Sequence, residues 1–110
     1  MILNSKVLGA DEKKIIILHG FLGSLDNWVT FAKKLSNNGY EVHLIDQRNH
    51  GKSFHSDDFN YELMANDLYK YLYEKNINKT SILGHSMGGK TAMLYSLMYP
   101  DTINKLIVVD

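Results

Sequence analysis

The stretch Ser81-Ile-Leu-Gly-His-Ser-Met-Gly-Gly-Lys-Thr91 joins a short apolar run to a segment with helical spacing. Its central residues, Gly84-His-Ser-Met-Gly88, match G-x-S-x-G, a motif that places a serine on a sharp turn between a strand and a helix. So tight a turn strains the serine backbone, and glycines on both sides prevent steric clashes. The following helix directs its free N–H groups at the same point. We therefore predict a strand–turn–helix unit in which Ser86 is exposed and Gly84 and Gly88 are the turn glycines.

A phosphate-binding loop is a second interpretation of the same residues. The segment Gly84 to Thr91 also satisfies G-x-x-x-x-G-K-[ST], with Gly89, Lys90 and Thr91 in the closing positions. The apolar run that ends in Asp110 is similar to the strand whose aspartate holds magnesium in P-loop enzymes. The residues therefore allow two interpretations, a protein that uses the exposed Ser86 as a nucleophile and a nucleotide-binding protein.

Four short apolar runs predict the strands of one sheet. These are Ile15–Leu18, Val42–Ile45, Ser81–Leu83 and Leu106–Val109. Each is almost entirely apolar and does not alternate with polar residues, which is typical of a parallel sheet covered on both faces.

Helical patterns separate these strands. One begins at Ser24, a predicted N-cap, and ends at Gly39; a second covers about residues 61–75; a third follows Ser86 and stops before Pro100. Strands and helices that alternate in this way form right-handed crossovers. We therefore predict an α/β fold with a partial, doubly wound and mostly parallel sheet.

The composition argues against several classes of function. The chain has 110 residues, 45% of them hydrophobic, and a formal net charge of zero. Basic and acidic residues are interspersed, so no basic stripe is available for nucleic acid. Cysteine is absent, which excludes disulfides and thiolate metal sites. No apolar run suits a signal peptide or a membrane span, so we expect a cytoplasmic location and no membrane association. No repeat or linker divides the sequence, so we expect residues 1–110 to lie within a single domain.

Two further motifs favour the serine nucleophile. His19-Gly-Phe21 directly follows the first predicted strand, where an acyl-transfer enzyme supplies an N–H group for the oxyanion and a P-loop protein has no use for this tripeptide. Asp46-Gln-Arg-Asn-His-Gly-Lys-Ser53 follows the second strand. With these motifs in this order, the chain resembles the α/β-hydrolase family, and in particular its small serine esterases.

The resemblance implies a role for each matching residue. Ser86 is the expected nucleophile, which attacks an ester or thioester carbonyl and forms an acyl-enzyme. The backbone N–H groups of Phe21 and Met87 are the expected oxyanion hole. Asp46 and Ser53, together with the arginine of their motif, are expected to form a structural network that fixes the loop. The resemblance implies no cofactor.

The five histidines need separate interpretations. His85 adjoins the nucleophile, but the turn directs neighbouring side chains to different sides, so we expect packing. His19 is expected to support the oxyanion loop from beneath, and His43, within a strand, to be a core residue. His50 and His55 lie on the long loop 47–60, from which either could approach the site as a base. Their spacing does not match a metal site, so we predict no metal.

The residues expected to complete a catalytic triad are largely missing. In the family the chain order is nucleophile, acid, histidine. Asp110 is a candidate acid, and no histidine follows Ser86. The C-terminal strands and the substrate-covering lid of the family are also missing, which would leave Leu106–Val109 as a bare edge strand. We therefore expect weak or no activity from this chain alone, and a second chain that supplies the missing half is one explanation. A catalytically inactive binding module is another alternative.

Overall fold

The computed structural model describes all 110 residues, which form a five-stranded sheet with α-helices on both faces. The strands are β1 (Ser5–Leu8), β2 (Lys13–Leu18), β3 (Tyr40–Ile45), β4 (Thr80–His85) and β5 (Ile103–Val109). The α-helices are α1 (Val29–Ser36), α2 (Tyr61–Glu74) and α3 (Met87–Met98). Two short 3₁₀ helices cover Leu25–Trp28 and Pro100–Thr102. None of these helices is long and apolar enough to cross a bilayer.

The strand order across the sheet is β1-β3-β2-β4-β5. Strands β3, β2, β4 and β5 are parallel, whereas β1 pairs antiparallel with β3. The predicted α/β class with a mostly parallel sheet is therefore confirmed. The strand β1 was not predicted, because its four residues include an exposed lysine at Lys6 and form no apolar run.

Alternate residues of the central strands serve two separate cores. Ile15 and Ile17 of β2 face α1, in a cluster with Ala32 of that helix. Ile16 and Leu18 of β2 belong to the larger cluster on the opposite face, which includes Leu68 of α2 and Ala92 of α3. Because both faces are covered, the central strands need apolar residues at successive positions, which explains the continuous apolar runs.

The first predicted helix is divided in two. Ser24 is an N-cap, as predicted, but the element it caps is the 3₁₀ helix, and the α-helix begins only at Val29. The side chain of Asn27 accepts a hydrogen bond from the N–H of Ser24 at 2.9 Å, which completes a reciprocal cap of this tight turn. The α-helix ends at Ser36, three residues before the predicted end at Gly39. Gly39, with a left-handed φ of 89°, lies in the turn that leads into β3.

Strand β5 ends the sheet and leaves one edge open. It begins at Ile103, three residues before the predicted start. Leu106, Ile107, Val108 and Val109 are each between 37% and 45% exposed, whereas the central strands are buried. An apolar edge strand with free backbone groups is a surface on which another strand can pair.

Candidate active site

Ser86 lies at the junction between β4 and α3, in a conformation that few serines adopt. Its φ is 53° and its ψ is −111°. It occupies the N-cap position of α3, where a serine hydroxyl commonly accepts a hydrogen bond from the helix, but no such bond is formed here. The backbone N–H of Ser86 donates to the carbonyl of Val109 at 2.8 Å. The exposed hydroxyl is therefore left free while the backbone that carries it is anchored to β5.

The two glycines beside Ser86 are required by close backbone approaches. A Cβ on Gly84 would collide with the backbone of Gly88 and Gly89. A Cβ on Gly88 would collide with the carbonyl groups of Leu18 and His19, where β2 ends. The first turn of α3 consequently lies directly against the end of β2, and the loop that follows β2 lies beside the turn that carries Ser86.

That loop, residues 20–23, contains the second predicted oxyanion donor. It closes with a hydrogen bond from the N–H of Gly23 to the carbonyl of Gly20 at 3.1 Å. The side chains of Phe21 and Leu22 are 63% and 82% exposed, and Leu22 has a left-handed φ of 63°. Met87 is the first residue of α3, so its N–H lacks an intrahelical acceptor. Two potential oxyanion donors thus lie on the two segments that meet beside Ser86.

Two buried histidines lie beneath the loop, with ring centroids 5.1 Å apart. Nδ1 of His19 is 2.8 Å from the carbonyl of Gly20, and Nε2 is 3.0 Å from the backbone N of Gln47. Burial lowers the pKa of His19, which favours the neutral ring. Nδ1 of His50 is 2.9 Å from the carbonyl of Arg48, and Nε2 is 3.0 Å from the backbone N of Leu22. Because both nitrogens of each ring are engaged, neither histidine is free to accept a proton from Ser86.

The other histidines also have structural surroundings or lie in solvent. The ring of His85 packs against Gly20 and meets Trp28 edge-on, with centroids 5.8 Å apart. His43 is buried between Tyr71 and Glu41, each 2.7 Å from a ring nitrogen. His55 is exposed on the long loop. No three His, Asp or Glu side chains are grouped as metal ligands.

Asp46 connects three segments near the site. Its carboxylate accepts hydrogen bonds from the backbone N–H groups of Leu25 at 2.8 Å and Lys52 at 3.0 Å, and from the side chain of Asn4 at 2.9 Å. Burial opposes ionisation, but these hydrogen bonds outweigh it and lower the pKa of Asp46. Gly51 is required beside it, since a Cβ there would collide with the carboxylate.

We expect Asp46→Asn to destabilise the fold at neutral pH by about 1–3 kcal/mol, because an amide group has only one acceptor atom for these donors. The native pKa lies below the ordinary value of 3.8, so the carboxylate stabilises the folded state fully above pH 3.8 and progressively less as the pH falls through the native pKa. The variant should therefore lose part of this acid dependence. Urea unfolding at pH 7 and pH 3 measures both effects. The exposed Glu12→Gln is the control, and equal acid dependence in Asp46→Asn and wild type would contradict the assignment.

Gln47 and Thr91 form a buried network beside the site that the sequence did not predict, since Thr91 was expected there only as part of a phosphate loop. The amide nitrogen of Gln47 donates to the carbonyl of His19 at 2.8 Å. The buried hydroxyl of Thr91 lies 2.9 Å from Oε1 of Gln47 and 3.2 Å from the carbonyl of Met87. This network connects the end of β2 to the start of α3 through Gln47, which lies 44 residues before Thr91, and no sequence pattern signals such a pairing. It also occupies the hydroxyl that a P-loop protein would use to hold magnesium.

A hollow lies between the loop of residues 20–23 and the ring of His85, the residue before Ser86. It has a volume of about 240 Å³ and is lined by Gly20, Phe21, Gly23, Asn27, Trp28 and His85. Asp110, the candidate acid, is exposed and directly follows the residue that accepts the hydrogen bond from the Ser86 N–H. The carboxyl ends of β2, β4 and β5 therefore bring three segments to the same end of the sheet: the Phe21 loop, Ser86 with Met87, and Asp110.

Known proteins are similar to this chain in sequence. A family model described as the alpha/beta hydrolase fold matches residues 13–110. The chain is 45% identical over 96 residues to a putative esterase/lipase of Haemophilus influenzae, covering 87% of this chain and 33% of that protein. It is 41% identical over 100 residues to the esterase YbfF of Escherichia coli, covering 91% and 39% respectively.

Comparison with solved structures also finds similarity to an esterase. A solved marine microorganism esterase superimposes with a TM-score of 0.95 at 48% sequence identity, covering 97% of this chain and 41% of that one. The chain spans about a third of the length of the curated relatives that it matches.

Proposed function

Because the chain belongs to the α/β-hydrolase fold family, we propose that it is the nucleophile-bearing part of a serine hydrolase that cleaves carboxylic esters or thioesters. Relatives named as esterases and lipases support hydrolysis as the reaction class. The observation that carries the proposal is the serine at a strained helix N-cap whose hydroxyl makes no capping bond. A serine that merely completed a turn would gain stability from that bond.

In the proposed reaction the Oγ of Ser86 attacks the carbonyl carbon of the substrate. Its proton passes to a general base and then to the departing alcohol or thiol, which leaves an acyl-enzyme. Water, deprotonated by the same base, releases the acid and regenerates Ser86. The N–H groups of Phe21 and Met87 stabilise the negative charge on the carbonyl oxygen in both steps, each by about 3–4 kcal/mol in comparable sites.

The general base comes from outside these 110 residues. His19, His43 and His50 use both ring nitrogens in other contacts. His85 packs against Trp28, and the exposed His55 makes no hydrogen bond or ring contact that would hold it at Ser86. The base then belongs either to a later part of a longer polypeptide or to a second chain that pairs with the open edge of β5. Asp110 is the acid that this chain itself can contribute.

The substrate is a small-molecule ester or thioester, part of which occupies the hollow between Phe21 and Trp28. A nucleotide is not favoured, because the hydroxyl of Thr91 is buried and engaged by Gln47, and α3 begins at Met87, inside the segment that a phosphate loop would need. A cytoplasmic location and the absence of nucleic-acid partners remain predictions from composition.

The proposal is tested by labelling with a fluorophosphonate, which reacts with activated serines. We expect little labelling of the chain alone. A chimera in which residues 13–110 replace the matching part of the Escherichia coli esterase supplies the missing residues, and we expect one adduct per molecule by intact mass. Ser86→Ala should abolish that adduct. A folded chimera that stays unlabelled would refute Ser86 as the nucleophile, and rapid labelling of the chain alone would refute an external base.

A further inference from the structure

The loop of residues 20–23 is positioned mainly by backbone hydrogen bonds. Its two large side chains, Phe21 and Leu22, are mostly exposed, so apolar burial does little to hold it. Leu22 has a left-handed φ, which a non-glycine residue adopts only when its surroundings impose it. The contact that reaches Leu22 from outside the loop is the hydrogen bond from its N–H to Nε2 of His50, at 3.0 Å.

The hydrogen-bond partners of His50 determine which of its ring nitrogens carries the proton. Nδ1 lies 2.9 Å from the carbonyl of Arg48, which can only accept, so Nδ1 carries the proton. Nε2 is then unprotonated and accepts from the N–H of Leu22. A protonated ring would place a second N–H against the N–H of Leu22 and break this bond. The contact therefore exists only while His50 is neutral.

We propose that His50 is a positioning residue for the oxyanion hole, because its neutral ring holds Leu22 and thereby fixes the N–H of the preceding Phe21. The role of Phe21 rests on the function proposed above. The edge of the His50 ring also meets the ring of Phe21, with centroids 5.8 Å apart. Acidification that protonates His50 releases the loop and misplaces the donor, independently of the general base.

The charged and titratable groups around His50 are few. His19 lies beneath it, with ring centroids 5.1 Å apart. Asp57 and His50 both line a second hollow, on the other side of Phe21 from the one that includes Trp28. The guanidinium of Arg48 is turned away and paired with Asp67. Phe59, at 6.2 Å between centroids, covers another side of the ring. His19 is thus the neighbour whose titration must be followed separately.

The test measures the hydrogen bond directly in the ¹⁵N-labelled chain. We expect a scalar coupling through the hydrogen bond between the amide nitrogen of Leu22 and Nε2 of His50, which disappears as the His50 ring resonances titrate. The amide signal of Phe21 should shift along with it. His50→Ala should speed amide exchange at Leu22 about tenfold, as expected for the loss of one hydrogen bond.

His50→Gln and His55→Ala separate positioning from general destabilisation. The side-chain carbonyl of glutamine reaches as far as Nε2 and accepts at any pH, so His50→Gln should restore slow exchange at Leu22 and remove the pH dependence at Phe21. His55→Ala, on the same loop, should behave as wild type. In the chimera, His50→Ala should lower kcat about tenfold to a hundredfold at unchanged KM, less than the loss of a whole oxyanion donor.

An absent coupling, or a Phe21 amide that ignores both the titration and His50→Ala in a folded chain, would overturn the proposal. So would a glutamine variant that behaves like alanine. These signals come from the chain itself, so they decide the role of His50 even if the chimera shows that Ser86 is not a nucleophile.

Discussion

Replacing Ser86 with alanine in the chimera is expected to lower kcat for a short p-nitrophenyl ester by about a million-fold. Losses of this size follow removal of the nucleophile from a serine triad, after which only binding and the oxyanion hole contribute. The residual rate should remain above the uncatalysed rate. Steady-state kinetics with the purified chimera, followed by p-nitrophenolate absorbance, measure the change.

Ser96→Ala is the matched control for this loss. Ser96 lies on the same helix, α3, and its hydroxyl donates to the carbonyl of Ala92 at 2.8 Å. Its removal should leave kcat within a few-fold of the parent. If Ser86→Ala and Ser96→Ala gave similar rates, Ser86 would have no role in the chemistry.

Asp67→Ala is expected to reduce the free energy of unfolding by about 3–5 kcal/mol, the usual cost of breaking a buried ion pair from one side. Asp67 is 5% exposed and Arg48 is 8% exposed. The guanidinium donates to the two carboxylate oxygens at 2.7 and 2.9 Å, and the ion pair raises the pKa of Arg48. In Asp67→Ala this permanent positive charge stays buried without its partner. Urea unfolding followed by circular dichroism measures the loss.

Two further variants test whether the lost stability comes from the unpaired charge of Arg48. Glu74→Ala removes an exposed acid from the same helix, α2, and should change the stability by less than about 0.5 kcal/mol. The double variant Arg48→Met with Asp67→Leu removes both charges and should recover much of the stability, because apolar residues of similar size often replace buried ion pairs without cost. If the double variant were as unstable as Asp67→Ala, shape and not charge would explain the effect.

The central sheet could be predicted from the sequence because each strand is covered on both faces. Ile15–Leu18 and Val42–Ile45 must then be continuously apolar, and such runs are visible without any partner. The antiparallel strand β1 escaped prediction because it lies at an edge and is half exposed. The division of the first helix could not be predicted either, because the spacing of apolar residues is similar in a 3₁₀ turn and an α-helix over four residues.

Within the candidate site, the sequence predicts features that depend on one local turn or on one motif, but not contacts between separate loops. The glycines around Ser86 follow from one local turn, and the structure adds the reason, which is the backbone of β2 pressing on Gly88. The bond from Leu22 to His50 spans 28 residues. Contacts of this kind depend on which loops lie next to each other in the fold, and the sequence does not show this. From the sequence, His50 could therefore be interpreted only as a candidate base.

The left-handed backbone at Ser86 lowers the stability of the fold at the residue that we propose as the nucleophile. Glycine adopts such a conformation without steric cost, whereas any other residue held there costs about 1–3 kcal/mol. A sequence optimised for folding alone would therefore place glycine at position 86 and gain a sizeable fraction of the small net stability of a domain this size. The hydroxyl is available for chemistry because the fold tolerates a residue that weakens it.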